Sequence, residues 1–100
     1  MAEFRVQIVT SQQTVFDEQV TALTLPGVKG SFGVLAHHAD IVAVLGKGNM
    51  VLRRGNVTVQ TPVSEGFLEM SNNVATVLAD GLADLDALTP LRTNVKKAEE

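Results

Sequence analysis

The feature that most constrains this chain is its rhythm. Through its first nine tenths, short apolar runs alternate with polar residues and stop at turn-forming ones, with no helical stretch between them. In "EFRVQIVT" (3–10), Phe4, Val6 and Ile8 face one way and Glu3, Arg5 and Gln7 the other, the period of a half-buried strand. "VTALTLPG" (20–27) places Leu23 and Leu25 together and stops at Pro26-Gly27, and "DIVAVLGKGN" (40–49) runs apolar from Ile41 to Leu45 until Gly46 and Gly48 close it. "MVLRR" and "NVTVQT" meet across Gly55-Asn56, a two-residue hairpin signal, and "EGFLEM" meets "NVATVLAD" across Ser71-Asn72-Asn73. In the last of these, Val74, Thr76 and Leu78 share one face and Ala75, Val77 and Ala79 the other, which predicts a central strand covered on both sides. Many short strands without a crossover predict an all-β fold, a mostly antiparallel β-sandwich or barrel.

The tail changes character. In "GLADLDALTPLRTNVKKAEE" (81–100) helix formers replace β-branched residues. Thr89 can cap a helix, Pro90 suits its first position, and Leu91, Val95 and Ala98 fall on one face. A helix of about ten residues is marginal alone, so it either docks on the sandwich or opens a longer element.

Composition excludes several functions. The 100 residues carry net charge −3 and no basic face, against a nucleic-acid partner. No cysteine is present, which removes disulfides, thiol catalysis and thiolate zinc sites. Neither a signal peptide nor a membrane-spanning run appears, so any membrane link is expected to pass through a partner.

The densest stretch is "PGVKGSFGVLAHHAD" (26–40), with three glycines, a lysine, two histidines and an aspartate. It is neither a Walker loop, since Lys29 precedes Gly30-Ser31, nor a dinucleotide loop, since Gly27, Gly30 and Gly33 are wrongly spaced. His37, His38 and Asp40 are a candidate metal set, but adjacent residues of an extended chain point to opposite faces. Ser31 near His38 lacks a nucleophile elbow, and Asp84 and Asp86 sit in a polar turn. What remains is a loop shaped to grip another protein. No cofactor and no chemistry are expected, with a small metal-dependent β-barrel enzyme or an unrelated β-sandwich adaptor as the alternatives.

Four segments taken in order resemble the ε subunit of F-type ATP synthases, in its N-terminal β-sandwich domain. They are the opening strand "VQIVTSQQTVFDEQVTALTLPG" (6–27), the loop "GSFGVLAHHA" (30–39), "GFLEMSNNVATVLAD" (66–80) and "DLDALTPLRTNVKKAEE" (84–100), where that family begins a C-terminal helical hairpin. The chain departs from the family pattern at Ala36-His37 and at Asp40, where prolines are usual, and at Thr89-Pro90, an insertion in the tail motif associated with ATP binding. The resemblance implies a flattened sandwich of about ten strands over residues 1–84, with 85–100 starting a truncated or short helical segment. It implies a non-catalytic rotor subunit of the central stalk that binds the γ subunit and the membrane c-ring and couples ion-driven rotation to ATP synthesis. Such a subunit lies peripherally on the cytoplasmic, matrix or stromal face of the energy-transducing membrane, and without the second hairpin helix it is expected to couple but not to inhibit. By position, Val28, Lys29, Gly30 and Ser31 match the end that approaches the c-ring, and Thr10, His38 and Ala43 the side that meets γ.

Overall fold

A computed structural model describes residues 2–79 and 85–92. Nine strands form one hydrogen-bonded sheet that curls into two layers: β1 (Phe4–Val9), β2 (Thr14–Val20), β3 (Ala22–Gly27), β4 (Gly30–Leu35), β5 (Ile41–Leu45), β6 (Gly48–Arg54), β7 (Val57–Val63), β8 (Gly66–Ser71) and β9 (Val74–Ala79). The order is β2-β1-β9-β8-β5-β3-β6-β7, with β4 added along β3. Every pairing is antiparallel except β1 with β9. The described body measures 41 × 30 × 22 Å, and its short axis suits two sheets packed about 10 Å apart.

β3 is the corner. Its first half pairs with β6 (Ala22↔Arg53 to Thr24↔Val51), and its last residue pairs with β5 (Gly27↔Leu45). Gly46 N–H donates to Pro26 O at 2.7 Å and Val28 N–H to Val44 O at 3.2 Å, joining the layers there. The alternation written in the sequence fills the space between them. Phe4, Val6 and Ile8 of β1 meet Leu23 and Leu25 of β3, Met50 and Leu52 of β6, and Leu68 and Met70 of β8 in one core. Each such side chain contributes about 1.5–3 kcal/mol by leaving water.

The remaining side, where the edges β2 and β7 face each other, is closed by a 3-10 helix, Leu85–Leu91. A 3-10 turn eclipses residues three apart, so Leu88 and Leu91 enter the core together, both fully buried. Arg54 clamps this seam, donating through Nη1 to Gln19 O and through Nη2 to Leu91 O, both at 2.9 Å. Arg92 donates to Val15 O at 2.7 Å and lies 5.5 Å from the centre of the Phe16 ring, a cation–π contact. Thr89 and Pro90 therefore sit inside a 3-10 helix and do not start an α-helix. Burial of Leu88 and Leu91 sets the pitch, overriding the capping signal. The helical face projected through Val95 and Ala98 lies outside the described residues.

Four further expectations change. The opening segment 6–27 is three strands, with β2 between a turn at 10–13 and a bend at Thr21. The stretch 26–40 is mostly not a loop: Val28-Lys29 is a two-residue turn, Gly30 takes φ 127°, and residues 30–35 pair along β3. The β8–β9 turn has two residues, because Ser71 pairs with Val74 and both Asn72 and Asn73 adopt positive φ, 53° and 64°, the geometry of a type I′ hairpin. Strand β9 is central, but only its Ala75–Val77–Ala79 face is covered; Leu78 on the other face is 45% exposed.

Candidate protein-docking face

That uncovered face is the outstanding surface of the molecule. Cross-strand register lines up Val44, Phe67, Leu78 and Val9 side by side on β5, β8, β9 and β1 (Val44↔Phe67, Phe67↔Leu78, Val9↔Leu78). The Val28 N–H bond to Val44 O continues the row onto the β3–β4 turn. Val28 is 62% exposed, Val44 49%, Phe67 50%, and Val42, next along β5, 70%. A shallow hollow between Phe67 and the turn at Thr10-Ser11 ends the row. Polar residues frame it: Val42 faces Glu69, Glu69 faces Thr76, Thr76 faces Gln7, and Gln7 faces Asp17. The outer face of the other layer alternates differently, presenting Thr24, Arg53, Thr58 and Gln60 to solvent. An apolar strip with a polar frame on one side of a rigid body is the composition of a protein interface.

At the rim, Arg5 and Asp17 are diagonal neighbours across β1 and β2 joined by two hydrogen bonds, Nε to Oδ1 at 2.8 Å and Nη2 to Oδ2 at 2.7 Å. Those bonds from Arg5 hold the Asp17 carboxyl below the usual carboxylate range. A depressed folded-state value means the pair stabilises the fold above the unfolded carboxyl value near 4 and stops doing so as pH falls through the lower folded value. Asp17→Asn is expected to lower stability against urea slightly at pH 7, by no more than about 0.5 kcal/mol because Asp17 is exposed. The difference from the parent chain should shrink as pH falls below the unfolded carboxyl value near 4, which urea titrations at neutral and acidic pH would check.

The residues singled out in the sequence are spread over this body. Val28, Lys29, Gly30 and Ser31 form the exposed tip of the β3–β4 hairpin, where the apolar row ends. Thr10 lies at the row's other end, following Val9: its hydroxyl donates to Gln13 O at 3.2 Å and accepts from the backbone N–H groups of Gln12 and Gln13, shaping the turn that borders the hollow. His38 lies at the opposite end of β5, half-buried, with Nδ1 2.7 Å from Ala39 O and its N–H bonded to Leu35 O. Ala43 alternates with Val42 and Val44, so it shares the half-covered face of Ile41 and Leu45 and not the open row. Thr10, His38 and Ala43 are thus not brought together.

The histidines are held by backbone demands. His37 adopts φ 65°, and its N–H donates to Asn73 Oδ1 at 2.6 Å; Asn73 Nδ2 in turn donates to Glu3 O at 3.2 Å. This stitches the 36–40 crossover to the β8–β9 turn. Among the described residues no three His, Asp or Glu side chains gather as metal ligands, so His37, His38 and Asp40 do not converge. Sequence reasoning missed the row itself. Its signal was present in the second apolar face of β9 and in Phe67, which alternates with Glu65 and Glu69 on the outer side of its strand.

Comparison with known proteins gives these surfaces a context. The sequence pattern of the family described as ATP synthase, Delta/Epsilon chain, beta-sandwich domain matches residues 3–84. The ATP synthase epsilon chain of Pelotomaculum thermopropionicum is 36% identical over 98 residues, which cover 96% of this chain and 73% of that protein. That of Protochlamydia amoebophila is 34% identical over 86 residues, covering 85% of this chain and 58% of the relative. This chain therefore spans little more than half the length of some relatives. Among solved structures, a chain of the Euglena gracilis mitochondrial ATP synthase (OSCP/F1/c-ring, rotational state 1) superposes with a TM-score of 0.77 at 23% identity, over 83% of this chain and 54% of that one; the likeness is one of fold.

Proposed function

The chain belongs to the ATP synthase delta/epsilon family, and on that premise we propose that it is a non-catalytic rotor subunit of the central stalk, binding the γ subunit and the membrane c-ring. The observation that carries the reading is the continuous apolar row from Val28 to Val9 on one face of a rigid sandwich. γ covers that row, with Thr10 beyond its Val9 end, and reaches along β5 past Ala43 to His38. The hairpin tip Val28–Ser31 meets the c-ring, where exposed Lys29 faces an acidic loop. Such a pair is worth about 0.2–1 kcal/mol, enough to orient the tip and too little to hold it, so γ supplies the affinity. Torque passes from ring to stalk through backbone ladders, and no bond is made or broken in this chain. It works peripherally, on the cytoplasmic, matrix or stromal face of the membrane; no helix among the described residues is long and apolar enough to cross one. We also propose that residues 1–84 supply the docking unit and that 85–100 belong to a helical segment whose first turn seals the core.

Binding to purified γ by calorimetry tests this. Phe67→Glu puts a charge in the middle of the row and is expected to weaken γ binding at least about a hundredfold with the melting temperature little changed. His38→Asp, at the margin, is expected to cost about tenfold or less. Unchanged γ affinity in Phe67→Glu removes the row from the interface. Failure of the parent chain to bind γ, or to restore coupled ATP synthesis to a complex stripped of its own copy, removes the function.

A further inference from the structure

Among the described residues, one strand edge of the sandwich is bare. Pro26 lacks an N–H and its carbonyl accepts from Gly46, so residue 26 turns its backbone groups toward β5. By alternation Leu23, Leu25 and Gly27 bond to their β4 partners Val34, Phe32 and Gly30. Ser31, Gly33 and Leu35 therefore aim their N–H and C=O groups away from the sheet, and all three are exposed; among the described residues the Leu35 carbonyl alone takes a bond, from His38 N–H at 3.1 Å. The other two outer strands are guarded. β2 carries Asp17 and Glu18, β7 carries Pro62, and both pack against the 3-10 helix. From Gly30 to Leu35, β4 has no charge and no proline, the devices that normally keep an edge from pairing.

Gly33 adds a second observation. Tight contacts explain Gly27, Gly48 and Gly66, and positive φ explains Gly30 and Gly55. Gly33 has neither: a Cβ there would lie 3.8 Å from its nearest neighbour, Leu23 O, in ordinary contact. A strand glycine that its own fold does not require marks a place where another backbone comes close.

We propose that β4 pairs antiparallel with β4 of a second copy of this chain, about a two-fold axis at Gly33. The pattern of outward groups fixes the register. Gly33 faces Gly33, Ser31 faces Leu35, and the half-buried Phe32 meets Val34 of the other copy on the inner face. Any charge at the axis would oppose itself across the two-fold, and the strand has none. At the margins Lys29 comes opposite His37. Roughly four new hydrogen bonds and little apolar area make this a weak, reversible dimer of the free chain. Because Ser31 also belongs to the tip assigned to the c-ring, self-pairing and that contact exclude each other. This last consequence alone rests on the function proposed above, and the test reads only self-association.

Sedimentation equilibrium of the whole chain from about 10 μM to 1 mM, with amide exchange followed by NMR, tests the pairing. A dimer should grow in with concentration while the Ser31 and Gly33 amides gain protection. Gly33→Pro removes the central outward donor and Gly33→Glu sets like charges face to face; each is expected to lower the association constant at least about tenfold. Gly33→Glu leaves the backbone donors in place, so it decides the matter if the proline variant folds poorly. A chain monomeric to 1 mM overturns the proposal, as does a dimer that survives Gly33→Glu or that only Phe67→Glu disrupts.

Discussion

Alanine at Gly66 is expected to destabilise the fold by about 3 kcal/mol and to lower its melting temperature by about 15 °C, the largest effect of any single methyl group added to this chain. Gly66 opens β8 opposite Ala79. A Cβ built there runs into the Leu78 carbonyl oxygen, with the Leu78 carbonyl carbon at 3.0 Å and Ala79 Cα at 3.1 Å. All of these atoms are backbone, so no side chain can swing aside. Strand β9 is bonded to β1 on its other side, and relief means parting β8 from β9. Phe67 follows directly, so the same change should lower γ affinity beyond what lost stability explains. Thermal unfolding followed by circular dichroism checks the first effect. A melting temperature within about 3 °C of the parent would contradict the close approach of the two strands.

Leu88→Ala should come next, at about 3 kcal/mol. Leu88 is fully buried at the seam between β2 and β7, where the sheet has no ladder of its own to close it. Truncation leaves a void walled by two edge strands that collapse poorly onto it. Thr89→Ala, on the exposed neighbour, should change stability by less than about 0.5 kcal/mol. Chemical denaturation of the two variants side by side checks the contrast. Equal, small effects would mean that the 3-10 helix lies on the surface and not in the core.

Strict alternation made β1, β3 and the β6–β7 hairpin legible, because Phe4-Val6-Ile8 and Leu23-Leu25 have one buried face and one wet one. β2 escaped notice because Glu18 falls on the same side of the strand as Phe16 and Val20, breaking the apolar period. The two faces of β9 carry similar residues for different reasons, and periodicity cannot separate a face buried by its own chain from one left for a partner. The 3-10 helix was hidden because Thr89-Pro90 is a good α-helix start and only tertiary packing of Leu88 and Leu91 outweighs it. Of the candidate site, Gly27 and Gly30 on either side of Val28-Lys29 mark a turn, while the role given to that tip came from resemblance. Thr10, His38 and Ala43 came from resemblance, and local sequence offers no reason to group residues that sit at separate places along β1 and β5.

The corner strand has a mechanical consequence. A sideways push on the Val28-Lys29 turn loads the β3–β4 ladder along its length, so its bonds resist in shear together and do not unzip singly. Since β3 is bonded to β6 over one half and to β5 at its end, the push divides between both layers before either can slide. The sandwich should therefore answer a tangential force as a stiff lever, yielding first at the short junction of residues 26–28 with residues 44–46.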